Sequence, residues 1–237
     1  MFPEQAAKFA ALVLGSAIVG FVSTHLILIT LVERDNGAHF EDTAVAWGLG
    51  HEYNAPSAFA AGLVLLAAVL CAIAARRSQM FADPNQRGWT VLAVVLAFIA
   101  VDEAVQIHER LGERLDDQLD LGGPLAFPWI VPYLAATFVL FLTLRPFLGR
   151  LDETLRRRLM IAGVIYVGGA AGVESIAAAR FDSQGDQADY VYHLISTVEE
   201  AMELTGMTIF VVAMIAYLTV RPVVEAPSEP EVPAPTG

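Results

Sequence analysis

From Phe9 to Val32 the chain carries no Asp, Glu, Lys or Arg, and this run limits the fold more than any other feature. A helix crossing about 30 Å of hydrocarbon needs roughly 20 apolar residues. The run is long enough to span, too long for a signal-peptide core, and lacks a convincing small-residue cleavage site, so it is expected to be retained. Residues 53–75 and 121–144 are two more uncharged runs of spanning length. Three further apolar stretches, 88–108, 159–179 and 192–220, carry acid. The reading is an all-α polytopic membrane bundle of six transmembrane helices. It fills residues 1–222 as one domain, and 223–237 follow as a disordered tail rich in proline and acid.

Composition supports a membrane rather than an aqueous setting. Hydrophobic residues make up 56% of the chain and charged residues 17%, against about 25% charged in ordinary soluble domains. The single cysteine, Cys71, lies in an apolar run, which excludes disulfide frameworks and thiolate metal sites. A net charge of -12 argues against nucleic acid as a partner and against adhesion to anionic lipid.

Lysine and arginine accumulate on the cytoplasmic side of membrane proteins. With the N-terminus inside, the inner segments hold Lys8, Arg76, Arg77, Arg87, Arg145, Arg150, Arg156, Arg157, Arg158 and Arg221. The outer loops hold only Arg34, Arg110, Arg114 and Arg180. Both termini are therefore expected in the cytoplasm. Acids gather in the outer loops, and His25, His39, His51, His108 and His193 all fall on the outer side or in the outer half of a span. The first outer loop, with Trp47 and "GLGHEY", is expected to form a short interfacial helix over a site there.

The acids inside the spans are the anomaly. At 1.5 Å per residue, Asp102 lies about 22 Å beyond Arg87, Glu174 about 24 Å beyond Arg158, and His25 about 25 Å beyond Lys8. Glu203 lies roughly 27 Å before Arg221, with Glu200 one turn farther out. These depths place one polar layer in the outer third of the bundle. On the last span His193, Glu199, Glu200 and Glu203 share an arc of about 120°, as do Asp102, Glu103, Gln106 and Glu109 on the third. His108 falls roughly 100° away from that second group, which makes it a weaker candidate. "GGAAGVES" brings small residues up to Glu174, letting neighbouring backbones approach closely.

An acid at a helix centre in lipid costs about 2.5–3.5 kcal/mol on insertion scales. Asp102, Glu103, Glu174, Glu199, Glu200 and Glu203 have no lysine or arginine within the spans to offset them. Protonation, histidine, water or a bound cation must compensate, and a metal neutralises several carboxylates at once. The expected ligands of a divalent iron, manganese or zinc ion are Asp102, Glu103, Glu174, His193, Glu200 and Glu203, with His25, His108 and Glu199 as second choices. Glu200 and Glu103 are the candidate catalytic residues, one acting as general base in metal-assisted oxidation or hydrolysis of a lipid-soluble substrate.

Several signatures are absent. No Glu-x-x-His of di-iron bundles, no His-Glu-x-x-His and no desaturase histidine boxes occur. "EEAMEL" has Leu204 where prenyl-protein proteases need arginine. Two other classes stay open: proton- or cation-coupled transport, and a scaffold whose acids pair with Gln106, Thr197, Ser175 and Tyr192. Glu109, Glu113 and "DDQLD" read as a solvated outer loop. The Asp-Glu…His-Glu of the third span and the "EEAMELTG" of the sixth resemble bacterial multipass membrane proteins of uncharacterised function. That resemblance implies an inner-membrane location and no activity.

Overall fold

The computed structural model describes residues 3–35, 39–51, 53–119 and 121–219. Glu52, Asp120, Arg221 and the expected tail from 223 onward lie outside the described residues. The elements are α1 (Pro3–Asp35), α2 (Glu41–Trp47), α3 (Ala55–Met80), α4 (Gln86–Val105), α5 (Ile107–Leu119), a 3-10 turn (Gly123–Leu125), α6 (Ile130–Arg150), α7 (Glu153–Val167), a π segment (Gly168–Val173), α8 (Glu174–Ser183) and α9 (Tyr190–Thr219). No strand occurs among the described residues.

Six helices are long and apolar enough to cross a membrane: α1, α3, α4, α6, the continuous α7–π–α8 rod, and α9. Their large apolar side chains point outward at Phe9, Leu12, Val19, Val94, Phe98, Phe138, Val139 and Val164. Helices suit such a setting because each satisfies its own backbone hydrogen bonds.

α9 is the central post, with α1, α7 and α3 packed around it, while α3 also packs along α4. Glycine sets the closest approach. A Cβ on Gly206 would stand 2.7 Å from the Tyr166 nitrogen and 2.8 Å from the Ala162 carbonyl oxygen. One on Gly169 would stand 2.9 Å from the Glu199 carbonyl. Small residues thus bring α7 and the π segment onto α9, as "GGAAGVES" led us to expect.

One end of the bundle is basic and apolar-packed. Arg77 Nη1 donates to the Leu218 carbonyl at 3.1 Å, and Arg150 Nε to Asn85 Oδ1 at 3.0 Å. Beneath them Trp89 is fully buried, edge-on to Phe147 at 4.8 Å and beside Tyr217 at 5.2 Å between ring centres. The other end carries α2, α5 and the α8–α9 turn.

Two of the expected spans run across a break in the structure. The third span, read as 88–108, stops at Val105, because Gln106 takes a left-handed conformation (φ 56°, ψ 52°) and α5 starts a new axis at Ile107. The fourth, read as 121–144, starts only at Ile130 and runs to Arg150. Gly122, Gly123 and Pro124 make a turn there instead, with Gly123 at φ 64°. Apolar character alone does not overcome these breakers.

Candidate functional site: an acid-lined chamber

The left-handed residue at Gln106 builds the first part of the site. It breaks the helix so that the His108 N–H donates to Asp102 Oδ1 at 2.8 Å, and His108 Nδ1 meets the same oxygen at 3.1 Å. Tyr133 of α6 donates its hydroxyl to Asp102 Oδ2 at 2.9 Å. Asp102 is 4% exposed, and these three contacts engage both of its oxygens. The His108 ring packs against Trp129, 4.8 Å between centres. Burial opposes charge on His108, but the hydrogen bond and charge of Asp102, with Glu103 and Glu109 near, outweigh it and raise its pKa.

The rest of the wall comes from α7, α8 and α9. Tyr166 donates its hydroxyl to Glu103 Oε1 at 3.1 Å. Glu174 stands where the π segment returns to α-helix, a local change of winding often found at functional sites. Glu199, Glu200 and Glu203 follow one another on α9, and the Gly50 N–H reaches down from the α2–α3 loop to Glu200 Oε1 at 3.2 Å.

These residues enclose a chamber of about 250 Å³. Its lining includes Asp102, Glu103, Glu109, Glu174, Glu199, Glu200 and Glu203, together with His108, Tyr133, Tyr166 and Tyr192, and no lysine or arginine. The α6 side mixes Leu134 and Leu140 with the hydroxyls of Tyr133 and Thr137. A neighbouring cleft of about 620 Å³ shares Glu109, Trp129, Glu174 and Tyr192 with the chamber and adds Glu113, Asp116, Asp182 and Asp186. The approach to the chamber is therefore acidic too, which concentrates cations.

Of the residues singled out from sequence, Asp102, Glu103, Glu174, Glu199, Glu200, Glu203 and His108 all line the chamber. His193 and His25 do not. They stand with His51 on the α1 side of α9, where the His51 and His193 ring centres are 6.3 Å apart. Among the described residues, no three His, Cys, Asp or Glu side chains already stand at metal-holding separations.

The helical angle that sets His108 apart assumes an unbroken helix, and the break at Gln106 removes that premise. Glu109, read as part of a solvated loop, is exposed yet borders the chamber. Two of the partners expected for a scaffold have their hydroxyls engaged elsewhere. Thr197 Oγ1 donates to the His193 carbonyl at 2.7 Å and Ser175 Oγ to the Ala171 carbonyl at 2.7 Å, each within its own helix. Tyr133 and Tyr166 were missed. Their only signal was a hydroxyl within an apolar span.

The short helix expected over the site is α2, with "GLGHEY" as the loop after it. Asn54 fastens that loop by donating Nδ2 to the Gly48 carbonyl at 2.7 Å, while it caps α3 by accepting from the Ser57 N–H at 3.0 Å.

A family model described as "Domain of unknown function (DUF8692)" matches residues 8–218, which takes in α1 through nearly all of α9. No curated protein and no solved structure matches the chain.

Proposed function

The chain belongs to the DUF8692 family, and we propose that it is a six-span protein of a bacterial inner membrane whose acidic chamber binds a divalent cation from the outer side. In this reading both termini and the basic end face the cytoplasm. The observation that carries it is the lining itself: seven carboxylates around one chamber with no basic residue among them. Ionised together without a counter-charge they would repel strongly in a poorly solvated site. A cation drawn through the acidic cleft relieves that repulsion. Hard oxygen donors suit magnesium, calcium or manganese, and the nearby imidazole admits iron or zinc.

The chamber supports chemistry on a lipid-soluble substrate better than passage through the membrane. Leu134 and Leu140 on its α6 side, with Ile99 of α4, give such a molecule apolar contacts. On α9 the chamber ends at Glu203 and the cleft at the basic end begins at Ala213. Leu204, Met207, Phe210 and Val211 fill the interval as buried core. The polar side chains of that stretch of α9 are the hydroxyls of Thr205 and Thr208, and no acid continues through it.

A bound cation would supply Lewis-acid polarisation of a water or a substrate oxygen. The chain's own residues would do the rest. Asp102 fixes the His108 ring through Nδ1, which leaves Nε2 to accept and return a proton. Tyr133 holds Asp102 in turn. Glu103, oriented by Tyr166, and Glu200, oriented by the Gly50 N–H, are the carboxylates best placed to bind or act as base. Asp102 is thus a positioning residue more than a free ligand.

Thermal unfolding in detergent tests the cation. Saturating manganese(II) is expected to raise the Tm of the chelated protein, as a ligand of the folded state must. The same addition should leave a Glu103→Gln/Glu203→Gln variant unmoved. An equal rise in both proteins would place the cation elsewhere.

A further inference from the structure

His25 lies in the apolar body of α1, 1% exposed, and neither of its ring nitrogens makes a hydrogen bond of acceptable geometry. The His193 backbone lies within reach of the ring, and its carbonyl also accepts from Thr197 Oγ1 at 2.7 Å, which leaves one ring nitrogen at most a poorly aligned, shared contact. Buried polar groups are nearly always partnered, so a histidine used only for packing would not be left this way.

Two other imidazoles stand around it. A Cβ built on Gly48 would lie 3.1 Å from His25 Nδ1 and 3.1 Å from His51 Cδ2. Both rings therefore border the space that a side chain at Gly48 would fill. His51 and His193 have ring centres 6.3 Å apart. Two imidazoles on one tetrahedral zinc, with Zn–N bonds of about 2.0–2.1 Å, have ring centres roughly 5 Å apart. The observed pair is about 1 Å wider than that. None of the three histidines lines the acid chamber.

We propose that His25, His51 and His193 form a second site, for a transition-metal cation of the zinc(II) or copper(II) class, which closes when the loop carrying His51 moves inward. Imidazole favours those ions over magnesium or calcium. The rings stand too far apart to hold an ion as they are, so closure is part of binding. His25 and His193 sit on long helices, whereas His51 follows Gly48 and Gly50, and Gly50 has a φ of 72°. His51 is thus the ligand carried on a loop and not on a long helix. That loop also donates the Gly50 N–H to Glu200 at 3.2 Å, so an ion on the histidines pulls on the roof of the acid chamber. The site stands whether or not the chamber binds a cation of its own.

Copper(II) titration of the full-length protein in detergent, read by electron paramagnetic resonance, tests this. The expected result is one equivalent bound with hyperfine coupling to nitrogen, displaced by zinc(II). His51→Ala changes only a loop residue and should weaken binding at least tenfold, with helix content and Tm retained. His25→Gln should do the same if it folds. Glu103→Gln/Glu203→Gln should leave the nitrogen-coupled signal intact even where manganese(II) binding is lost. Copper bound without nitrogen coupling, or His51→Ala binding as tightly as the parent, overturns the site. A signal lost in the glutamine variant and kept in His51→Ala would place the copper in the chamber instead.

Discussion

α9 is one helix with two different halves. Over Tyr190–Glu203 it presents Glu199, Glu200 and Glu203 to a chamber and His193 to a cluster of imidazoles. Over Leu204–Thr219 it presents Leu204, Met207, Phe210, Val211 and Met214 to a closed core with Trp89 and Phe147. The same 3.6-residue geometry carries both, so the difference lies in side chains alone. The core half holds the helices together. The polar half is tolerated because the core half is sound, and it is where binding is to be sought.

The comparison breaks if the core half proves dispensable. Trp89→Ala removes the largest fully buried side chain and should destabilise by about 3–5 kcal/mol, with manganese(II) affinity unchanged in whatever fraction stays folded. Gly206→Ala should cost about 1–3 kcal/mol, since the new Cβ meets the backbone of Tyr166 and Ala162 rather than a flexible side-chain end. A wild-type Tm for Trp89→Ala would show the Trp89 core to be dispensable, and one for Gly206→Ala that the close α7–α9 contact is not what sets stability.

In the polar half the expected sign reverses. Glu103→Gln/Glu203→Gln keeps volume and removes charge, so in chelator its Tm should equal or exceed the parent's. Uncompensated buried acids favour neutral replacements. A marked loss of stability in chelator would instead show both carboxylates to be structural.

His108 sharpens the comparison through pH. Its pKa is raised in the fold by Asp102 against the opposing effect of burial. The pairing therefore adds stability fully present below about 6.5, its value when unfolded, and lost as pH rises through the higher folded value. His108→Gln should flatten that part of the Tm-against-pH curve. The smallest effect belongs to Asp189 before α9. Hydrogen bonds from Arg180 and from the Tyr192 N–H hold its pKa down at about 2. Its contribution is present above about 3.9 and lost as pH falls toward 2, and Asp189→Asn should change Tm only slightly because the pair is solvated.

The six spans and the polar layer were legible in the sequence because hydropathy and helical rise act over twenty residues at a time. Asp102, Glu174 and Glu203, far apart in the chain, do line one chamber as their depths implied. Single-residue events were not legible. Gln106 carries no signal for a left-handed residue, so the helical wheel places His108 away from Asp102, whereas the break brings it into contact. The grouping of His25 and His193 with His51 depends on which side of α9 each neighbour occupies, which periodicity does not encode. Gly122, Gly123 and Pro124 did announce the late start of α6, but the apolar count across 121–144 outweighed them.

Elemental analysis tests the central claim most directly, on protein purified in mild detergent without chelator beside the Glu103→Gln/Glu203→Gln variant. The account predicts about one equivalent of a divalent metal in the parent beyond whatever the variant retains. A well-folded parent that carries no more metal than the variant, and takes up none of added manganese, iron or zinc that the variant does not, would contradict it.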